Sequence, residues 1–289
     1  MTRARLWIVL AYVVAFVAAV LAAQRTSLEA PLWVALWADV VATVVIFAFS
    51  VAFRNSSFYD AFWSVAPLPI ALYWALRPEL VGVNPIRLGV VIFLLGLWGV
   101  RLTWNWTRGW TGLDHEDWRY VDIKAKTGAL YWPASLFGIH LLPTLWVFLA
   151  LLPVYAVMTR GVEPLGAVDV LALGVVLGAI WLEARADKEL LRFRASQPVP
   201  EEFLQTGVWS WSRHPNYLGE MGFWWGLWLF AIAADPSWWW SIIGPVGITL
   251  MFVFVSLPMI ERRMVERRPA FAEYQARSSL VLPRLGRRA

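Results

Sequence analysis

Long apolar runs alternate with polar stretches along almost the whole chain. Eight runs are close to or above the roughly 18 residues that a helix needs to cross a bilayer. They cover residues 6–24, 31–53, 61–80, 86–106, 130–157, 167–186, 217–234 and 238–258. No alternating pattern typical of strands interrupts them. The pattern predicts an all-α, polytopic membrane protein with about eight transmembrane helices.

The composition supports this prediction. Of the 289 residues, 60% are hydrophobic and 16% are charged, which is too little charge for a soluble domain with such long apolar blocks. The chain has no cysteine, so a disulfide, a thiol nucleophile and a thiolate metal site are excluded. Only His214 among the three histidines lies near the candidate site described below, so no metal site is predicted.

The positions of lysine and arginine predict the orientation. With the N-terminus in the cytoplasm, all 25 of these residues fall on the cytoplasmic side except Arg25, Arg77, Arg87 and Arg160. We therefore expect both termini in the cytoplasm of a bacterial cell, with the protein in its inner membrane. The net charge of +5 then reflects contact with anionic lipid headgroups, and no nucleic-acid partner is predicted. Residues 1–258 form the predicted transmembrane domain, and 259–289 form a basic amphipathic cytoplasmic tail.

Charged residues continue the sixth apolar run beyond the membrane. Glu183, Asp187 and Arg194 are spaced so that they share one face of a helix. This face has the groups needed to hydrogen-bond a nucleotide and its phosphates. The alternative is a solvated helix end held by ion pairs.

The stretch 213–220, with the sequence RHPNYLGE, precedes another apolar run. Pro215 suits the first turn of a helix, whose free N–H groups and positive dipole end favour an anion. Arg213 and His214 are placed to add charge-assisted hydrogen bonds, and Asn216 and Glu220 share one helical face. The alternative is an interfacial helix cap anchored in the headgroups by aromatic residues such as Tyr217.

These motifs resemble one known family. The spacing Glu183-x3-Asp187-x6-Arg194, the stretch from Gly207 to Glu220, and Tyr274 with Pro283 are similar to the C-terminal half of the steroid 5α-reductase-like family. The resemblance is closest to its bacterial branch, the DUF1295 proteins, and is strong over residues 98–289. It implies a seven-helix core with one additional N-terminal helix, and an integral-membrane reductase that uses NADPH.

The resemblance also implies which residues contact the cofactor. Asp187, Arg194, Asn216 and Tyr274 match the family's positions for the nicotinamide cofactor, so the tail would complete the site. We add five neighbours as predicted cofactor-binding residues. These are Glu183, Arg213, His214, Tyr217 and Glu220.

The predicted reaction is reduction of an activated, enone-type C=C bond. It needs a hydride at the β-carbon and an acid that polarises the carbonyl oxygen. The glutamate pattern that serves this role in steroid enzymes is missing from this chain, and Asp60 is the best substitute, with Tyr59 and Tyr73 as proton donors. Asp60 has an alternative as a helix cap. Asp39, inside the second apolar run, is either functional or bonded to a neighbouring helix.

The predicted substrate is a lipophilic small molecule, such as a steroid or isoprenoid, that enters from the bilayer. Two other functions stay open at this point. One is a membrane methyltransferase of the isoprenylcysteine or phospholipid type that uses S-adenosylmethionine, since those enzymes share a similar Arg-His-Pro stretch. The other is a non-catalytic membrane scaffold with the same fold.

Overall fold

A computed structural model of the protein describes residues 3–77 and 82–283. Within these ranges the chain is helical and contains no strand, as predicted. The α-helices are α1 (Arg3–Arg25), α2 (Pro31–Phe53), α3 (Phe62–Val65), α4 (Pro67–Ala75), α5 (Pro85–Gly109), α6 (Trp118–Thr127), α7 (Tyr131–Ala134), α8 (Leu142–Ala150), α9 (Leu152–Arg160), α10 (Ala167–Ala195), α11 (Pro215–Ala234), α12 (Ile243–Met251), α13 (Leu257–Arg267) and α14 (Phe271–Arg277). Short turns of 3-10 type (Ser56–Tyr59, Gly128–Leu130, Gly207–Ser210, Pro236–Ile242) and π type (Ser135–Leu141, Phe252–Ser256) join some of them.

Six helical runs in the described residues are long and apolar enough to cross a membrane. They are Arg3–Arg25, Pro31–Phe53, Pro85–Gly109, Trp118–Arg160, Ala167–Ala195 and Pro236–Arg267. Each contains one of the predicted segments. The prediction of a polytopic helical membrane protein is therefore confirmed.

The other two predicted spans are helical but differ from the six. Segment 217–234 lies in α11, a 20-residue helix that contains Glu220 and is not among the six. Segment 61–80 begins as two short helices, α3 and α4, with Pro67 at the start of the second. Residues 78–81 of that segment lie outside the described part of the chain.

The predicted boundary at residue 258 falls inside a helix. Helix α13 continues the run Pro236–Arg267 and carries its polar residues beyond the apolar part. The tail then turns back through α14 and contacts the start of α11, where the main-chain N–H of Arg213 donates to the carbonyl of Ser279 (2.9 Å). Residues 284–289 of the predicted tail lie outside the described part of the chain.

The polar segments meet at two ends of the helix bundle. At one end, Arg5 near the start of α1 donates to the carbonyl of Thr107 near the end of α5 (3.1 Å). We call this the arginine-rich end, because it holds the charged segments predicted to be cytoplasmic. At the opposite end, the N–H of Asn84 donates to the carbonyl of Gly161 (2.8 Å). The first and last described residues both lie at the arginine-rich end.

Candidate functional site

Helices α10 and α11 pack closely enough to bring two carboxyl groups together. A Cβ atom at Gly219 would lie 2.8 Å from the carbonyl oxygen of Ala179 and 2.8 Å from the Cβ of Glu183. Only glycine permits this approach, as is common where small residues line a helix interface in a membrane. Glu183 and Glu220 are consequently both buried at this interface (5% exposed each).

Arg101 of α5 lies against these carboxyl groups. Its Nη1 donates to Asp187 (2.9 Å), and its Nη2 lies 2.5 Å from Glu183 in an ion pair. That second contact is close but poorly aligned, so neither atom has a hydrogen-bond partner. Asn105, one turn further along α5, also donates to Asp187 (3.1 Å). We call Arg101, Glu183, Asp187 and Glu220 the carboxylate cluster.

Two indole groups hold Glu220 in place. Trp98 donates to its Oε2 and Trp224 to its Oε1, each over 2.9 Å. Trp98 also stacks on Phe223, with ring centroids 4.8 Å apart. Both oxygens of Glu220 are therefore satisfied and its side chain is fixed. Glu183 faces Arg101 without any comparable partner on the other side.

Several buried polar atoms at this end of the bundle have no hydrogen-bond partner among the described residues. They are Nε and Nη2 of Arg101, Oε2 of Glu183, Oγ of Ser212, Oδ1 of Asn216 and Nε1 of Trp110, of which Nη2 of Arg101 and Oε2 of Glu183 still compensate each other as an ion pair. Leaving a buried polar group unpaired costs roughly 1–3 kcal/mol. So many at one end indicate a place where a ligand or water supplies the missing partners. Three carboxyl groups against one arginine favour a ligand with several donors or a positive charge.

Comparison with known proteins agrees with the family that the motifs resemble. A family model described as a protein of unknown function, DUF1295, matches residues 46–278, which is most of the chain. The chain belongs to the DUF1295 family. An uncharacterised protein of the fission yeast Schizosaccharomyces pombe is 30% identical over 258 residues, covering 82% of this chain and 75% of the relative. No solved structure matches the chain.

The DUF1295 match contains the whole carboxylate cluster. Of the predicted cofactor-binding residues, the fold brings Glu183, Asp187 and Glu220 together, with Asn216 one turn before Glu220 on α11. Tyr217 lies close enough to both glutamates to interact electrostatically. Arg194 is exposed at the end of α10 and interacts electrostatically with Asp187.

Arg213 and His214 differ from the expectation that they contact a phosphate. Nε of Arg213 donates to Glu261 (2.7 Å), and its Nη1 donates to the carbonyls of Gln275 (3.1 Å) and Ser278 (2.6 Å). His214 lies 2.8 Å from the same Glu261 oxygen. In the DUF1295 fold seen here, these two side chains join the start of α11 to the tail. They hold the start of α11 in place, and their hydrogen bonds are with the tail and not with the carboxylate cluster.

Tyr274 also contributes to this tail contact. Its hydroxyl donates to the carbonyl of Trp209 (2.9 Å), and the indole of Trp209 donates to the carbonyl of Ala186 on α10 (3.1 Å). The turn between them depends on Gly207, whose φ of +61° and contact with Glu189 exclude a side chain. Tyr274 therefore links the tail to α10 through the 207–211 turn, and its hydroxyl is already engaged.

Two of the three predicted catalytic residues, Tyr59 and Asp60, lie in a second polar region, around the 3-10 turn Ser56–Tyr59. Asn55 caps the start of this turn by accepting from the N–H of Ser57 (2.8 Å), and Asp60 occupies the cap position at its end, where its main-chain N–H donates to the carbonyl of Ser57 (3.2 Å). The side chain of Asp60 accepts from Tyr120 (2.8 Å). Burial raises the pKa of the Asp60 carboxyl to about 6, although the bond from Tyr120 opposes the shift.

Tyr59 and Tyr73 have different surroundings. The hydroxyl of Tyr59 lies 2.8 Å from that of Thr144, and both side chains are buried. Tyr73 lines an apolar groove on the side of α2 and accepts a hydrogen bond from Arg77 (3.3 Å). Tyr73 shares this groove with Asp39, whereas Asp60 and Tyr59 do not line it.

Sequence reasoning did not rank the residues that complete the cluster. Arg101, Trp98 and Trp224 are absent from the predicted site, although Arg101 lies in an apolar run. An arginine in such a run is itself a signal of function. Glu261, which holds Arg213 and His214, gives no signal in sequence because its partners are about 50 positions away.

Proposed function

We propose that the protein is an integral-membrane reductase that transfers a hydride from NADPH to an activated C=C bond in a lipophilic substrate. The carboxylate cluster carries this proposal, together with the unpaired polar atoms next to it. The cluster lies where three long helices meet at one end of an otherwise apolar bundle. Such a site gives a water-borne cofactor access at a membrane surface while the substrate approaches from lipid.

The residues of the cluster fit the uncharged part of the cofactor. Carboxylates accept hydrogen bonds from ribose hydroxyls and from the amide of a nicotinamide, and the free Oδ1 of Asn216 accepts one more. Phosphates need arginines, and Arg194 with its exposed neighbour Arg192 lies at the outer end of the same helix. The cofactor would then extend from the cluster along α10 towards water.

The reduction divides between cofactor and protein. NADPH, when bound, supplies the hydride that attacks the β-carbon, and a proton reaches the α-carbon of the substrate. Asp60, Tyr59 and Tyr73 stay the proposed acids that polarise the substrate carbonyl. A carboxyl that holds its proton to about pH 6 in a buried site is suited to donate a hydrogen bond at mildly acidic pH.

One observation favours a second function, a methyltransferase that uses S-adenosylmethionine. The cluster has an excess of carboxyl groups over arginine, and the sulfonium and ammonium groups of this cofactor are positive. The anionic phosphates of NADPH gain nothing from that excess. We rank the reductase first because Arg192 and Arg194 lie at the outer end of α10, beyond the cluster, and give phosphates a place to bind.

Thermal melting of the purified protein with NADPH, NADH or S-adenosylmethionine tests these proposals. A ligand at 100 times its dissociation constant stabilises by about 2.7 kcal/mol, so NADPH should raise the melting temperature. Asn216→Ala should abolish this rise, whereas Asp114→Asn, a change on an exposed loop, should keep it. A rise with S-adenosylmethionine alone would establish the methyltransferase. If none of the three ligands raises the melting temperature, the result would favour the non-catalytic membrane scaffold.

A further inference from the structure

An apolar groove runs along the outside of the bundle, away from the carboxylate cluster. Its walls come from α1, α2 and the segment 62–73, and it encloses a volume of about 150 Å³. Phe16 and Val20 line it and are also 55% and 39% exposed, so the groove opens at the lipid-facing side of α1. A molecule dissolved in the bilayer therefore reaches it without passing through water.

The groove contains one carboxyl group, that of Asp39. Asp39 is 6% exposed and makes no hydrogen bond or ion pair with any other residue in 3–77 or 82–283. Thr43, one turn further along α2, shows the contrast, because its hydroxyl lies 2.9 Å from that of Thr144 and it does not line the groove. The sequence leaves two alternatives for Asp39, a functional role and a bond to a neighbouring helix. The described residues contain no such bond. A buried polar group of this kind needs a partner.

The apolar walls restrict the chemistry of that partner. An ammonium group would place two charges in a groove with few other polar atoms, which is costly even when they pair. A carbonyl group would satisfy one carboxyl oxygen at most. A hydroxyl group both donates and accepts, so it satisfies the two oxygens of a neutral carboxyl and leaves no net charge.

The dimensions of the groove restrict the shape of the ligand. A cavity of about 150 Å³ encloses a group the size of benzene, which is only part of a lipid. The α1 wall extends from Tyr12 to Ala23, about 16 Å at 1.5 Å per residue. A narrow chain that lies along this wall fits better than a compact molecule.

We infer that the groove between α1, α2 and residues 62–73 is a binding site for an elongated lipophilic alcohol, such as an isoprenoid alcohol, whose hydroxyl hydrogen-bonds to Asp39. The site requires no nucleotide, so its binding test is separate from that of the proposed reductase, although Tyr73, one of the proposed acids, lines it. Residues 12–42 of its walls also precede the part of the chain that matches the family.

Binding of tritiated farnesol to the full-length protein in lipid nanodiscs tests this site. Wild type and Thr43→Val should bind it saturably, and Asp39→Leu should bind at least about tenfold more weakly, since the hydrogen bonds between the hydroxyl and the carboxyl group are lost. Farnesyl methyl ether, which cannot donate, should compete about tenfold less well than farnesol for the wild type and equally well for Asp39→Leu.

Ala38→Phe gives a second test that keeps the carboxyl group. Ala38 lines the groove, so the larger side chain should fill it and weaken farnesol binding while the melting temperature confirms folding. Equal affinity of wild type and either groove variant would overturn the inference, as would absence of saturable binding. Farnesylamine that binds more than tenfold tighter than farnesol would show that the ligand is an amine, which also contradicts it.

Discussion

Helix α5 carries a buried arginine near one end and a half-buried arginine near the other, and their surroundings differ. Arg87, at one end, donates twice to Asp169 (2.7 and 2.9 Å) and also to the carbonyls of Gly161, Glu163 and Pro164. Arg101, at the other end, faces three carboxyl groups, pairs with Glu183 and Asp187, and leaves its Nε without a hydrogen-bond partner among the described residues. The first arginine has every donor satisfied by protein. The second belongs to a set of groups that the described residues leave incomplete.

The difference separates a structural ion pair from a candidate site. Arg87 and Asp169 balance in charge and tie the start of α5 to the start of α10. The carboxylate cluster is unbalanced and its members come from three helices. The fraction of donors and acceptors that the protein satisfies therefore distinguishes the two ends most clearly.

Breaking the balanced pair should have the largest effect on stability. Asp169→Asn leaves Arg87 buried with no counter-charge, so we expect the protein to lose about 3–5 kcal/mol of unfolding free energy. Unfolding in mixed detergent and SDS micelles measures this. Glu163→Gln is the matched control, because Glu163 takes part through its main-chain carbonyl while its side chain is exposed. A loss of under 1 kcal/mol in Asp169→Asn would contradict the structural role of the pair.

Ionisation of Asp60 should make the unfolding free energy depend on pH, which neither arginine of α5 does. Its pKa is raised from 3.8 to about 6, so the folded protein binds more protons than the unfolded chain between these values. Stability should therefore fall as pH rises from about 4 to about 6, by at most about 3 kcal/mol, and then level off. Asp60→Asn, whose amide oxygen still accepts from Tyr120, should flatten this part of the profile. An unchanged profile would show that Asp60 ionises normally.

The close packing of α10 and α11 can be loosened without touching a charge. Gly219→Ala places a methyl group against the backbone of Ala179, and overpacking of this kind costs about 1–3 kcal/mol. Gly174→Ala is the matched control, because a Cβ there meets nothing within 4 Å and alanine favours a helix. The control should melt at the same temperature as wild type or higher. Similar losses in both variants would mean that the packing does not require Gly219.

The smallest effect on stability should come from the carboxylate cluster itself. Glu183→Gln removes one of three crowded carboxyl groups, so the unfolding free energy should stay the same or rise by up to about 1 kcal/mol. If the cluster binds NADPH, the same variant should bind it about tenfold more weakly. A loss of stability as large as that of Asp169→Asn would show that the carboxylate cluster stabilises the fold in the same way as the Arg87–Asp169 ion pair.

The sequence predicts the helices better than it predicts their partners. Apolar runs define the spans, and the position of Pro215 at the start of α11 is correctly predicted because proline fits the first turn. The grouping of Glu183 with Asp187 follows from helical spacing alone. These features depend on residues within a few positions of one another, which is what a linear pattern records.

The missed features depend on contacts between distant segments. Spacing within a helix cannot show that Arg101 lies against Glu183, or that Glu261 engages Arg213 and His214. The sequence predicts that Arg213 presents a free guanidinium group at the start of α11. The structure shows instead that this group is bonded to Glu261 and to main-chain carbonyls of the tail. The sequence also does not predict that the described part of the third span consists of two short helices, the second of which begins at Pro67.

The bonds between the start of α11 and the tail have a consequence for synthesis. Arg213 and His214 are translated before the membrane run Pro236–Arg267 begins, whereas their partners Glu261, Gln275 and Ser278 follow 47 to 65 positions later. Until those residues emerge, the two side chains lie at the membrane surface without these acceptors. The start of α11 is therefore fixed only after α13 and α14 have been made.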